Sequence, residues 1–146
     1  MIKKLFLIYL ISLITITNVV SQTAHLDSIN LSKTSFHRNT NIDSLFFYAK
    51  KLEKSKDICI KIEALTGKAY AFYRQKNYIK SEKTVISVLK KVDSLIKIDN
   101  STCLFDRKIS ALNRLFWIKK NQEEYEEAYK ALIECQNTIT NYPEKN

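Results

Sequence analysis

Residues 65–89 read LTGKAYAFYRQKNYIKSEKTVISVL, and this stretch decides the fold class. Leu65, Ala69 and Phe72 step by four and three residues, which places them on one face of a helix. Gln75-Lys76-Asn77 then interrupts the pattern as a short polar turn. Tyr78, Ser81, Val85 and Val88 resume it at steps of three, four and three, with Leu89 beside them. Two helical faces separated by a few polar residues predict an antiparallel helical hairpin.

The face after the turn recurs on both sides of this hairpin. Upstream it appears as Ile42, Leu45, Ala49 and Leu52, and downstream as Tyr125, Ala128, Leu132 and Cys135, at the same steps. A recurring face marks helices that stack on their neighbours. Between these anchors the chain divides readily. Residues 23–40 are polar with Leu26, Ile29 and Phe36 scattered through them, a weak first helix capped by Asp27 or Ser28, and Asn39-Thr40-Asn41 reads as a turn. Helices are expected over 42–55, from Asp57 along Ile58, Ile62, Leu65, Ala69 and Phe72, over 78–98, over 105–120 and over 122–140. Asp99 to Thr102 is the clearest loop.

Gly67 and Pro143 are the only glycine and proline. Sheet folds with tight turns need many more, and phosphate-cradling loops need clustered glycine, so P-loop and Rossmann chemistry is excluded. At the front, Lys3 and Lys4 precede the apolar run Leu5 to Ile16, and Val19-Val20-Ser21 precedes Gln22. That order reads as an export signal over 1–21, the apolar run being shorter than the roughly 20 residues of a spanning helix. An uncleaved N-terminal anchor in the inner membrane is the alternative. Cleavage leaves a polar segment over 22–40, a helical domain over 41–142 and a tail over 143–146, in the periplasm or outside the cell. It lowers the net charge from +9 to +7 by removing Lys3 and Lys4. The basic residues are interleaved with Glu53, Glu63, Glu82 and the Glu123-Glu124-Tyr125-Glu126-Glu127 run, so they read as solvated helix faces rather than a nucleic-acid surface.

The hairpin resembles tetratricopeptide repeats, helix-turn-helix units of about 34 residues. Leu65, Ala69, Phe72, Tyr78, Ser81, Val85, Val88 and Leu89 supply its small residues at the helix crossing and its aromatics on either side of the turn. The third unit keeps Tyr125 and Ala128, but Ala111, Leu115 and Ile118 match only if the turn is one residue longer. The first unit is matched in its second helix alone. Unit spacing is irregular, 36 residues from Ile42 to Tyr78 and 47 from Tyr78 to Tyr125, similar to divergent repeats in the sensor regions of Gram-negative regulators. The resemblance implies an all-α superhelix of five to six helices in antiparallel hairpins. It also implies an inner groove lined by the first helix of each pair, with Glu63, Thr66, Tyr70, Tyr73 and Arg74 from the middle unit and Leu112, Phe116, Lys119 and Lys120 from the third. Tyr70, Tyr73, Arg74, Phe116, Lys119 and Lys120 are then the expected contacts for a peptide, by stacking and by charge. The competing reading, which the spacing favours, is that Tyr70, Tyr73 and Phe116 pack between helices.

Nothing in the chain suggests catalysis. His25 and His37 lie twelve residues apart with no donors at ligand spacing, so neither metal nor cofactor is expected. No elbow-like turn presents a nucleophile. Cys59, Cys103 and Cys135 form no C-x-x-C pair, and their odd number argues against a complete set of bridges. Cys135 lies on the repeat face as a small hydrophobe, and Cys103, beside the loop, is expected to be the reactive thiol. Asp27-Ser28-Ile29, Asp43-Ser44-Leu45 and Asp93-Ser94-Leu95 look like bacterial O-glycosylation signals, but three-residue matches are weak. The expectation is an exported, non-catalytic module that binds a protein or peptide, with self-association through the C-terminal end. Alternatives are the sensor part of a truncated membrane-spanning transcription regulator and a cationic protein that binds envelope or lipid surfaces.

Overall fold

The computed structural model describes residues 23–143, and the export-signal reading of 1–21 lies outside them. The described residues form six helices and no strand. These are α1 (23–37), α2 (Ile42–Leu52), α3 (Ile58–Arg74), α4 (Tyr78–Ile96), α5 (Thr102–Asn121) and α6 (Tyr125–Thr140). From α2 onward each helix packs on the next, and α3 also touches α5. None is long and apolar enough to cross a membrane.

Side-chain caps set the starts of three helices. Asn41 accepts from the Ser44 amide at 2.9 Å, Asp57 from Cys59 at 2.7 Å, and Asn77 from Lys80 at 3.2 Å. Each satisfies an amide that the helix itself leaves without an acceptor. Thr102 belongs to α5 rather than to the loop, with Ser101 at the cap position.

The expected hairpin is present in α3 and α4. Ala69 and Ser81 are fully buried where the helices meet, and the Ser81 hydroxyl donates to the Ala69 carbonyl at 2.7 Å. Ile62, Val85, Val88, Val92, Leu104, Ala111, Leu112 and Ile118 build the core around this contact. Gly67 faces the other way, where a methyl group in its place would lie 3.5 Å from Thr34 and 3.8 Å from Leu45.

The connections α3–α4 and α5–α6 have the same length, so the longer turn on which the match of Ala111, Leu115 and Ile118 depends is not present. Each has three residues with a left-handed centre, Lys76 (φ 58°) and Glu123 (φ 65°). In each an amide also reaches back five positions, Asn77 to Phe72 at 2.9 Å and Glu124 to Lys119 at 3.0 Å. That pairing closes a helix end on its own last carbonyls and needs no glycine when the strain is offset by packing.

Two further expectations change. In α6, Ala128 is buried and Cys135 half-buried, but Tyr125 and Leu132 are exposed, because among the described helices α6 packs only on α5. Cys103 is not a reactive thiol. It is bridged to Cys59, with the two Cα atoms 6.3 Å apart, and Cys135 is the free cysteine.

Candidate functional site

The bridge joins the N-terminal turns of α3 and α5, and the contacts beyond it keep its spacing. Cys59 and Cys103 are 44 positions apart, as are Glu63 and Arg107 one turn further on, and Tyr70 and Arg114 two turns beyond that. α3 and α5 therefore run side by side in parallel and in register.

Glu63 is buried on this seam and accepts from two arginines, Arg107 at 2.6 Å and Arg38, from the turn after α1, at 3.0 Å. Arg114 has no carboxylate partner among the described residues. Its guanidinium lies 4.1 Å from the centre of the Tyr70 ring and 5.4 Å from that of Tyr73. Burial pulls its pKa down, and the neighbouring Arg38 charge adds to the effect while Tyr70 and Tyr73 oppose it. A guanidinium remains protonated regardless, so the shift measures how poorly its charge is compensated.

Tyr70 is the centre of the arrangement. Arg38 and Arg74 also lie near its ring, at 5.8 Å and 5.9 Å from its centre, so three guanidinium groups stand within 6 Å of one aromatic ring. The Tyr70 hydroxyl donates to Asn39 Oδ1 at 2.7 Å, which ties the ring to the α1–α2 turn. Arg74 is held to the same turn, its Nη1 donating weakly to the Arg38 and Asn39 carbonyls at 3.4 Å and 3.5 Å. The Nε groups of Arg38, Arg107 and Arg114 are buried with no acceptor among the described residues. With Arg74, the cluster sets four cations against the single carboxylate of Glu63.

Tyr73 has a different role. It packs half-buried against the core and against Tyr78, with ring centres 5.7 Å apart, and accepts a hydrogen bond from Asn121 Nδ2 at 3.0 Å. It therefore supports the helices and also lies within reach of Arg114.

Of the expected contacts, the structure brings together Tyr70, Tyr73 and Arg74. It separates Phe116, Lys119 and Lys120 from them. These stand two, five and six residues after Arg114, spacings that put them on other sides of α5. Phe116 packs edge-on to Trp117 at 5.2 Å, and the Lys120 ammonium lies 4.9 Å from the Trp117 ring. Lys119 is shared by Glu82 and Glu124 at 2.7 Å each, joining α4, α5 and the turn before α6. Burial of its ammonium lowers its pKa, but the hydrogen bonds it donates to Glu124 and Glu82 outweigh this and the net shift is upward. The reason is the rotation of α5, whose sides bearing Ala111, Leu115 and Ile118 are turned into the core. Arg38, Arg107 and Arg114 were not foreseen. Arg107 and Arg114, seven residues apart and so on one helix face, were the available signal.

Among the described residues no group of three or more His, Cys, Asp or Glu side chains is placed to hold a metal ion. No family model, curated protein or solved structure matches the chain.

Proposed function

We propose that this protein is an exported, non-catalytic helical array of tetratricopeptide type, whose first helices bind an acidic, extended segment of a partner protein. The observation that carries this reading is the Tyr70 ring surrounded by Arg38, Arg74 and Arg114, with one carboxylate among four guanidinium groups. A segment with Asp or Glu beside an apolar residue meets both needs. Its carboxylate pairs with the arginine donors, and its apolar side chain covers the tyrosine face. The same excess of cations repels a basic segment. Export is supported by the Cys59–Cys103 bridge, since such bridges persist in oxidising compartments.

The reading is tested by fluorescence anisotropy with two labelled peptides of the same apolar residues, one carrying Glu and Asp and the other Lys. Only the acidic peptide should bind. Arg114→Gln should weaken its binding about tenfold or more, as expected for loss of a charged hydrogen bond, measured at a temperature where a melting curve shows the variant folded. Equal binding of both peptides, or no effect of Arg114→Gln, would overturn the proposal.

A further inference from the structure

α6 has two apolar sides. One is buried on α5 through Ala128, Ala131 and Thr138. The other carries Tyr125, Tyr129, Leu132, Ile133 and Ile139, from 44 % exposed at Ile133 to 65 % at Tyr125. Their spacing gathers them into one stripe along the helix. Single exposed apolar residues are ordinary, but a continuous stripe marks a contact surface. Tyr142 does not cover it, because it folds onto Phe105 and donates to Asp106 at 2.7 Å on α5. Glu126 flanks the stripe, one residue after Tyr125, and Glu123 stands in the preceding turn, while Lys130 is the one ammonium shared by Glu126 and Glu127.

The opposite end of the helical stack has the complementary character. α1 exposes Leu26, Ile29 and Phe36 in one stripe, Leu26 by 57 % and Phe36 by 68 %, with Lys33 between them. Beside this stripe a cleft of ≈ 380 Å³ opens between α1 and the end of α2, lined by Leu26 and Asn30 and by Lys51, Lys54 and Lys56. Its one carboxylate, Asp27, is engaged by the Ser55 hydroxyl. One end of the stack is thus apolar and acidic, and the other apolar and basic.

We propose that the protein associates with itself head to tail, the α6 stripe of one copy seating against the α1–α2 face of the next. Charge complementarity selects a second copy as the occupant. Two α6 faces brought together would oppose acid to acid, and two α1–α2 faces base to base. The contact extends to a neighbour the apolar stacking that already joins α5 to α6 within the chain. Because it joins two different surfaces, a pair keeps one free face of each kind, so assemblies grow beyond dimers with concentration, as open chains or as rings. The proposal is independent of the arginine cluster.

Sedimentation velocity of the purified protein over a range of concentrations tests it. The wild type should gain mass with concentration, and salt at about 1 M, where the Debye length is about 3 Å, should reduce the gain. Leu132→Glu removes one face and Leu26→Glu the other, so each variant alone should remain a monomer. An equimolar mixture should form a one-to-one dimer and nothing larger, through the intact face of each. All of these side chains are exposed, so the melting temperatures should stay at the wild-type value. If Leu132→Glu melts low, Tyr129→Glu takes its place. A wild type that is monomeric throughout would overturn the proposal. So would self-association of Leu26→Glu alone, which would indicate an α6–α6 pair, or a mixture that fails to dimerise.

Discussion

Arg114 holds its guanidinium 4.1 Å from the Tyr70 ring, at the same separation of 44 positions that joins Cys59 to Cys103. The two contacts are eleven residues apart along α3, about 16 Å at the rise of an α-helix. A covalent link at one end of the seam and a cation–aromatic contact at the other therefore report a single register. Glu63 and Arg107 lie between them at that same separation. The position of the uncompensated arginine thus follows from how α3 and α5 are docked.

Glu63→Gln should move stability and binding in opposite directions. The substitution leaves Arg38 and Arg107 without their carboxylate, which costs roughly 1–3 kcal/mol, less than for a fully buried pair because both arginines are partly exposed. The freed guanidinium groups should then hold an acidic peptide more tightly. A melting curve and an anisotropy titration on the same sample check both signs. Weaker binding would mean that Glu63 orients the site instead of competing for it.

Alkylation followed by mass measurement should modify one cysteine, Cys135, in the unreduced protein and all three after reduction and unfolding. Burial pushes the Cys135 thiol up, so its labelling should be slow at neutral pH. The bridge closes a loop of 44 positions, and the chain-entropy model assigns such a loop about 4 kcal/mol. Cys59→Ser with Cys103→Ser should lower stability by up to that amount in a denaturant titration.

Gly67 and Ala69 should respond oppositely to added bulk. A methyl group at Gly67 meets Thr34, Leu45 and Ala49 at 3.5–4.0 Å, which is ordinary contact. Gly67→Ala should stabilise by about 0.5–1 kcal/mol through the lower backbone entropy of the unfolded chain. Ala69 is fully buried under Ser81, and Ala69→Leu should overpack the crossing at a cost of about 1–3 kcal/mol. Thermal melts of the two variants should therefore fall on either side of the wild type.

Stability should fall in alkali. Lys119 is held above its ordinary pKa of 10.5 by its two carboxylates despite its burial, so their contribution is complete below that value and is lost as pH rises through the raised one. Lys108, whose burial lowers its pKa but whose bonds to Asp93 and Glu134 together outweigh this, shifts the same way, and Lys130 is pushed up to about 12 by Glu127 and Glu126. Melting temperatures should decline as pH passes about 10.5. A Glu82→Gln, Glu124→Gln double variant should start lower and lose less over that interval.

The helices were legible because their signals are local. The steps of three and four from Leu65 to Leu89, with Asn77 as cap, describe a hairpin before any tertiary contact is known, and Ala69 and Ser81 meet where their spacing puts them. Tyr70, Tyr73 and Arg74 share a seam because α3 alone carries them. The other half of the site depends on the rotation of α5 about its axis, which is decided by how Ala111, Leu115 and Ile118 fill the space left by α3 and α4. That packing turns Arg107 and Arg114 toward Tyr70 and carries Phe116, Lys119 and Lys120 away from it. The pairing of Cys59 with Cys103 is a consequence of the same docking. Residue identity and short-range spacing determined the all-helical class and the hairpin. Tertiary structure alone decided which arginines stand without a carboxylate, because that depends on which face each helix buries against a neighbour distant in sequence.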